Sequence, residues 1–290
     1  MNSYPKLFIP GPTHVSDEIL SVFSKPQIGH RTPEFSDLME RIVLGVQKVL
    51  YTNNQIYLTS HPATGQWEMG LRNSIKNRVL HAVNGAFSSK WSLVSEKCGF
   101  NSDVIEFDWG LGIDPDKLDS KLSSGKFDVF AMVHNETSTG ASSNLENISA
   151  MLKANHPNII WLVDAVSSMA GIKIDVDALG IDFIFASTQK AWGLPAGFSV
   201  LSVSDRLIQK SKTIDKQGYF FNFEIFEKYY KKMQTPYTPS IPHMYGLSKV
   251  LDLIDEEGLE NRWERHEEMG DLVRNWAISR GQRLFAKPDS

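Results

Sequence analysis

An acidic and a basic residue at the ends of two neighbouring apolar segments carry the chemistry that this sequence suggests first. Asp164 ends the apolar run 159–163, and Lys190 follows the run 181–186 within a short polar segment. A continuous apolar run of this kind is typical of a strand covered on both faces. A carboxylate at its end is costly to bury without a cationic partner, so we expect a basic group to face Asp164.

Lys190 is expected to be partly desolvated, because Trp192 and a glycine–proline turn flank it. Burial lowers the pKa of a lysine and favours the neutral amine that condenses with a carbonyl group. Pyridoxal phosphate chemistry needs such an amine for a Schiff base, together with an acid that keeps the pyridine nitrogen protonated. A salt bridge between two strand ends is the alternative that these two residues leave open.

The elements that must position this pair alternate along the chain. Apolar and β-branched runs predict strands, and amphipathic segments between them predict helices. This alternation predicts an α/β fold with a mostly parallel, seven-stranded sheet between layers of helices. The predicted strands are 55–60, 78–83, 103–107, 129–134, 159–164, 183–186 and 198–203, and the predicted helices are 64–75, 86–98, 114–122 and 145–154.

The C-terminal part of the chain has a different pattern. Residues 244–281 combine dense charge with helical spacing of apolar residues, and Gly258 is expected to divide two helices there. Residues 283–285 are predicted to start a strand. We therefore expect an extended N-terminal segment at 1–14, a large domain at 15–257, and the start of a small domain at 258–290.

The composition predicts an ordinary globular protein. Hydrophobic residues make up 41% of the chain and charged residues 22%, and the net charge of −4 gives no reason to expect nucleic-acid binding. The sequence has neither a membrane-spanning apolar stretch nor the start of a signal peptide, which predicts a cytoplasmic protein. Cys98 is the single cysteine and the histidines are scattered, so we expect no disulfide and no metal site.

Segments 164–168 and 187–190 resemble the cofactor motifs of class V aminotransferases, specifically the alanine-glyoxylate and serine-glyoxylate (serine-pyruvate) group. The resemblance implies the type I fold of pyridoxal 5′-phosphate (PLP) enzymes. The family's small domain continues past the position of Ser290, so this chain is expected to be truncated or incomplete there. Further segments that match in the family's order are 10–13, 29–31, 63–65, 134–140 and 237–242.

The resemblance assigns four residues around the cofactor ring. Lys190 would form the Schiff base and later move the substrate proton, and Asp164 would pair with the pyridine nitrogen. Val166 would press one face of the ring and Phe87 would stack on the other. For Phe87, an ordinary core phenylalanine is the alternative.

The phosphate is expected at the start of a helix, where Ala63, Thr64 and Gly65 offer backbone amides to an anion. By resemblance, Gln189 would also bind the phosphate, and Thr238 would reach it from a second subunit of a homodimer. Thr238 could instead cap the turn before a proline. Pro62 has no N–H group and stands where the family commonly has serine, so one usual phosphate contact is expected to be missing.

Two further groups complete the expected site. Ser138 would bond the cofactor's phenolic oxygen or pyridine side, with Thr139 or a merely solvated loop as alternatives. His30 and Arg31 could supply a cation for an acidic substrate group, or form an exposed basic turn. The family's carboxylate-binding arginine belongs to the region past Ser290.

The resulting hypothesis is an aminotransferase that moves an amino group from alanine or serine to glyoxylate or pyruvate. Phosphoserine transamination is a close variant. A cysteine desulfurase shares the fold and cofactor but typically has histidines where this chain has Gln189 and Phe87. A truncated protein that binds the cofactor without turnover is the third alternative.

Overall fold

The computed structural model describes residues 6–215 and 217–287, in which nine strands form from residue 55 onward. Seven of them form one sheet, and two short ones pair separately as a ribbon. Within the described residues the strands are β1 (Gln55–Thr59), β2 (Val79–Val83), β3 (Ser102–Glu106), β4 (Val129–Val133), β5 (Asn135–Glu136), β6 (Ala141–Ser142), β7 (Ile160–Asp164), β8 (Phe183–Ser187) and β9 (Ser199–Val203).

The large sheet has the order β1-β9-β8-β7-β4-β2-β3. Strand β9 runs antiparallel to β1 and β8, and the remaining neighbours are parallel. All residues of β2, β4, β7 and β8 are buried, which explains their continuous apolar sequences. The predicted mostly parallel, seven-stranded sheet is confirmed.

Helices cover both faces of the sheet. The helices are α1 (Asp17–Val22), α2 (Pro33–Leu50), α3 (Thr64–Ser74), α4 (Ala86–Lys97), α5 (Pro115–Leu122), α6 (Leu145–Asn155), α7 (Val176–Leu179), α8 (Asp205–Ser211), α9 (Phe223–Tyr230), α10 (Ile241–Glu257) and α11 (Leu259–Ser279). Helices α3 to α6 lie between strands, in agreement with the predicted alternation. Five further helices, α1, α2, α7, α8 and α9, lie in segments for which no element was predicted.

Two apolar cores lie on opposite sides of the sheet, because successive side chains of a strand point to opposite faces. On β7, Trp161 and Val163 belong to one core, while Ile160 and Leu162 belong to the other. Helices α2, α5, α6 and α10 complete the first core, and α3, α4, α8 and α9 complete the second. The candidate site lies between these layers, at the carboxyl ends of the central strands.

The C-terminal helices divide at Gly258, as predicted. Helix α10 packs into the first core, whereas α11 buries Leu259 and leaves most of its length exposed. The boundary between a large and a small domain at this point stays a prediction. Residues 1–5 and 288–290, which the predicted terminal segments include, lie outside the described residues.

The predicted strand at 283–285 is wrong. A strand needs a neighbouring strand to satisfy its backbone groups, and these residues pair with no strand among those described. Leu284 is 43% exposed and Phe285 is 62% exposed. The chain instead continues irregularly to Lys287, whose amide donates to the carbonyl of Gly110 at 2.9 Å.

Helices that are long and apolar enough to cross a membrane do not occur in the described part of the chain.

Candidate functional site

A cavity of about 280 Å³ opens where the parallel strands end. Parallel strands of an open α/β sheet present their carboxyl ends at one edge, where ligands usually bind. The ends of β4, β7 and β8, the start of α3 and the N-terminal segment all contribute to its wall. The residues that line it are Gly11, Pro12, Pro62, Ala63, Thr64, Trp67, Phe87, Val133, Asn135, Thr137, Asp164, Val166, Ser167, Ser187, Gln189, Lys190 and Ala196.

A larger cavity of about 440 Å³ lies at the opposite edge of the sheet. Its charged side chains already have structural partners. Arg206 forms an ion pair with Asp182 at 2.5 Å, and Asp177 accepts a hydrogen bond from Thr52 at 2.5 Å. We therefore place the candidate site in the smaller cavity, where both of the chemically suggestive residues lie.

Asp164 is the last residue of β7 and is 3% exposed. Its carboxylate accepts hydrogen bonds from the indole N–H of Trp67 at 2.7 Å and from the amide of Val166 at 2.9 Å. Burial raises the pKa of Asp164 to about 6, although both donors act in the opposite direction. The carboxylate is therefore held in place by neutral donors in an environment that penalises its charge.

A basic group, Lys190, faces Asp164 across the cavity as expected, but the two side chains are not in contact. Asp164 and Lys190 both line the cavity but do not form an ion pair. The field of Lys190 lowers the pKa of Asp164 less than the two hydrogen bonds do. The desolvation cost is offset by the indole and amide donors instead, so the strand-end salt bridge does not describe this pair.

Lys190 follows β8 on a turn and is half-buried. Its Nζ donates a hydrogen bond to the carbonyl of Pro10 at 2.6 Å. Burial lowers the pKa of Lys190, and the negative charge of Asp164 partly opposes this shift. An amine with a lowered pKa is more often neutral near pH 7, which is the form that attacks a carbonyl carbon.

The start of α3 is suited to an anion. Its N-cap residue is Ala63, which has no side chain to cap the helix. The Ala63 amide donates to Ser187 Oγ at 3.1 Å, and the Gly65 amide donates to the carbonyl of Pro62 at 2.9 Å. The amide of Thr64 opens the helix, and the first amides of a helix have no partner within it.

Two neighbours of this helix start bear on its anion-binding role. The Oε1 atom of Gln189 is buried without a hydrogen-bond partner within the described residues. Because the two ends of an amide side chain are interchangeable, Gln189 can offer a donor to the cavity as well. At Gly65, a Cβ atom would lie 2.5 Å from Nδ1 of His61. Packing against His61 therefore explains this glycine, which does not itself line the cavity.

Phe87 and Val166 both line the cavity, as expected for residues on the two faces of a flat ring. Phe87 is 41% exposed, so it is not an ordinary core residue. Its amide donates to the carboxylate of Glu136 at 3.3 Å, and the Ser88 amide donates to the same carboxylate at 3.0 Å. Glu136 thus fixes the start of α4, from which Phe87 projects.

The structure does not bring Ser138 to the cavity. Its hydroxyl donates to Glu136 at 2.7 Å and accepts from the amide of Ala86 at 2.9 Å, so it braces α4. Thr139 donates to the carbonyl of Glu136 and is buried away from the cavity. Thr137 is the hydroxyl of this loop that lines the cavity, where it shares a hydrogen bond of 2.5 Å with Ser167.

His30 and Arg31 also lie away from the cavity. The guanidinium of Arg31 donates to the carbonyls of Thr235 at 2.7 Å and Pro236 at 3.1 Å. It also lies 4.7 Å from the ring centre of Tyr229. Arg31 therefore braces the segment that leads to Thr238. Burial and the charge of Arg31 lower the pKa of His30, which disfavours the protonated, positively charged form of its side chain.

Thr238 lines a separate cavity of about 200 Å³ together with Tyr237 and Phe220. Thr238 does not line the candidate site of its own chain. Its expected contact with the phosphate in a second subunit stays a prediction.

Sequence reasoning missed four contributors to the site: Trp67, Glu136, Thr137 and the N-terminal Pro10–Gly11 pair. Trp67 lies four residues after Ala63, so helical spacing places it on the same face of α3. That spacing could have pointed to it. The contact of Pro10 with Lys190 joins residues far apart in sequence and leaves no local signal.

Replacing Trp67 by phenylalanine tests its contact with Asp164. An aromatic ring remains, but the carboxylate loses its indole donor, which raises the pKa of Asp164 further. A hydrogen bond to a charged group contributes about 1.5–3 kcal/mol, so we expect turnover to fall roughly tenfold or more. The acid limb of the pH–rate profile should move to higher pH.

Trp91→Phe is the matched control, because the Trp91 indole donates at 3.4 Å to the carbonyl of Trp67 and does not contact Asp164. An acid limb that stays in place in Trp67→Phe, or moves equally in Trp91→Phe, would argue against this role for Trp67.

Known proteins resemble this chain along nearly its whole length. Residues 17–283 match the family described as Aminotransferase class-V. An uncharacterized aminotransferase of Methanocaldococcus jannaschii is 35% identical, with 97% of this chain and 74% of the relative covered. The serine–glyoxylate aminotransferase of Arabidopsis thaliana is 34% identical, with 92% and 69% covered. The crystal structure of the alanine–glyoxylate aminotransferase from Nostoc sp. has a TM-score of 0.89 at 27% identity, with 96% and 75% covered.

Proposed function

Because the chain belongs to the class V aminotransferase family and is a PLP-dependent transaminase, we propose that it moves an amino group from alanine or serine to glyoxylate or pyruvate. The observation that carries this proposal is the placement of Asp164 and Lys190 in one cavity at the carboxyl ends of the parallel strands. The relatives named for glyoxylate support the choice of acceptor.

The residues of the cavity fit PLP. The uncapped start of α3 and the unpaired Oε1 of Gln189 suit a phosphate group, and the cavity volume is close to the lower end of about 300–1,000 Å³ for small-molecule sites. We propose that Ala63, Thr64 and Gln189 hold the phosphate end. Phe87 and Val166 enclose the ring, and Thr137 replaces Ser138 as the hydroxyl beside it.

When bound, PLP supplies an aldehyde for attachment and an electron-accepting ring. The carboxylate of Asp164, which Trp67 and Val166 keep oriented, would hold a proton on the ring nitrogen. Nζ of Lys190, once displaced by the substrate amine, would take the proton from the alpha carbon of the substrate and deliver it to the C4′ carbon of the cofactor. The walls of the cavity keep water from competing for that proton.

Two observations disfavour the alternatives. The guanidinium of Arg31 is bonded to two backbone carbonyls, so it is not available for the phosphate of phosphoserine. The positions where cysteine desulfurases typically have histidine hold Gln189 and Phe87, neither of which can act as a general acid.

We also propose a homodimer in which Thr238 of one subunit reaches the phosphate in the other. Its position outside the cavity of its own chain is compatible with this arrangement. A cytoplasmic location and a small domain beginning at residue 258 belong to the same proposal.

Absorption spectra of the purified protein with PLP test the proposed reaction. We expect the violet-edge band of lysine-bound cofactor to bleach when alanine or serine is added, and to return when glyoxylate or pyruvate follows. Glutamate and phosphoserine serve as comparison donors, and phosphoserine alone bleaching the band would favour the phosphoserine variant. A band that no donor changes would contradict the proposed transamination.

A further inference from the structure

The N-terminal segment 10–13, which we call the strap, contacts the lysine of the site directly. The carbonyl of Pro10 accepts the hydrogen bond from Lys190 Nζ at 2.6 Å. Gly11 lies so close that a Cβ atom there would be 2.6 Å from Nζ and 2.8 Å from Cε. Gly11 also has a φ of +151°, a conformation that side chains disfavour. The strap therefore packs along the end of the lysine side chain.

Thr13 fastens the strap to the turn that carries the lysine. Its amide donates to the carbonyl of Gln189 at 2.9 Å. Its hydroxyl lies 3.3 Å from the same carbonyl and 3.2 Å from the carbonyl of Lys190. Gly11 and Pro12 line the cavity, so the strap is both attached to the backbone of the lysine turn and part of the cavity wall.

We propose that the strap is a positioning element for Lys190, which holds its amine as an ammonium against the Pro10 carbonyl in the cofactor-free protein and releases it when the cofactor is captured. This inference rests on the proposed function. A carbonyl oxygen accepts hydrogen bonds from ammonium more strongly than from a neutral amine. The strap therefore slows the attachment of PLP to Lys190 at those pH values at which the lysine would otherwise lose its proton.

The other charged groups around Lys190 cannot replace this contact. Asp164, from β7, favours the ammonium but does not form an ion pair with it. Glu136, from β5, is bonded to α4 and acts on Asp164. Arg262, from α11, donates to the carbonyl of Ala191 at 2.6 Å. Among the described residues, the Pro10 carbonyl is the hydrogen-bond acceptor of Nζ.

The rate at which cofactor-free protein captures PLP tests the strap. In capture, the neutral amine adds to the aldehyde carbon, a C=N bond forms and water leaves. Thr13→Val keeps the shape of the side chain but removes its hydroxyl contacts, which loosens the strap. We expect capture by Thr13→Val to be about tenfold faster at pH 7, which corresponds to a weakening of the Pro10–ammonium hydrogen bond by about 1.4 kcal/mol as the strap loosens.

The pH dependence distinguishes positioning from a structural effect. Above the pKa of the lysine the amine is neutral in both proteins, so the rates should converge at high pH. Thr213→Val is the matched control, because its hydroxyl makes a similar bond to the Lys210 carbonyl at 2.8 Å on α8, away from the site. Equal rates at pH 7, or a difference that persists at every pH, would overturn the proposal.

Acylation gives a second readout that needs no cofactor. Acetic anhydride should modify Lys190 slowly relative to the exposed Lys97 in the wild-type protein, and several-fold faster in Thr13→Val, as measured by peptide mass spectrometry. Gly11→Ala, which forces the strap and lysine apart, should act in the same direction if Thr13→Val does not fold. Unchanged Lys190 acylation in the folded variant refutes the strap. If neither wild type nor Thr13→Val captures PLP but Lys190 is still acylated faster in Thr13→Val, the proposed function is refuted and the strap is not.

Discussion

Lys190→Ala is expected to lower transamination by at least about 10⁴-fold, the largest effect of any single substitution in this chain. General acid–base catalysis by one side chain contributes about 10²–10⁴-fold, and this substitution also removes the amine that attaches the cofactor. Asp164 remains, but Trp67 and Val166 hold its carboxylate, which would be engaged with the ring nitrogen and so would not replace the lysine as the base. Initial rates with alanine or serine and glyoxylate measure the loss.

Two comparisons separate this chemistry from a folding defect. Lys97→Ala removes an exposed lysine on α4 and should leave the rate unchanged. A small primary amine added to Lys190→Ala should restore part of the activity, because it can take the substrate proton within the cavity. Residual activity above about one per cent of wild type would rule out the role assigned to Lys190.

The strands could be predicted because burial on both faces dictates their composition. Strand β7 has an apolar residue at every position before Asp164, and each is buried. The polar residue that ends such a strand then lies at the edge of the sheet, which is why Asp164 could be placed correctly. The same reasoning failed at 283–285, where apolar residues are exposed and no neighbouring strand is described.

Helix α2 was missed although its sequence carries the signals. Pro33 occupies the first turn, and apolar residues recur at helical spacing from Phe35 to Leu50. By contrast, whether β9 runs parallel or antiparallel to β8 depends on how the connection between them folds. The periodicity of apolar residues does not indicate this direction.

The site was harder to predict than the fold because its contacts join distant residues. The sequence indicated that Asp164 would need compensation, but whether a lysine or an indole supplies it depends on how α3 packs on β7. The same limit applies to Arg31, whose charge suggested a substrate contact. Its guanidinium is bonded to carbonyls about two hundred residues further along the chain, and only the folded structure shows such a use.

Asp164→Asn is expected to lower the activity and to remove a pH dependence of the stability. Asparagine cannot hold a proton on the ring nitrogen by charge, so the electron-accepting power of the cofactor falls. Removal of one preorganised electrostatic contact typically costs about 10²–10³-fold in turnover, and we expect a loss of that size. Steady-state rates on cofactor-saturated protein measure it.

The stability effect follows from the raised pKa. Burial raises the pKa of Asp164 from 3.8 to about 6, so the folded protein binds this proton more tightly than the unfolded chain. The free energy of unfolding therefore decreases as the pH rises between these values, by about 3 kcal/mol at 1.36 kcal/mol per pKa unit. Asparagine carries no charge and removes this dependence.

Urea unfolding of the cofactor-free proteins between pH 4 and pH 7 should reveal the difference. The stability of Asp164→Asn relative to wild type should rise by about 2 kcal/mol over this interval, whether the variant is more or less stable than wild type at pH 4. Asp37→Asn, at an exposed position on α2, should show no comparable trend. A relative stability of Asp164→Asn that does not change with pH would mean that the carboxylate is not penalised by burial. The carboxyl group would then have only a structural role. A site that keeps a negative charge for the ring nitrogen must bury that charge before the cofactor binds, and burying it lowers the stability of the cofactor-free protein.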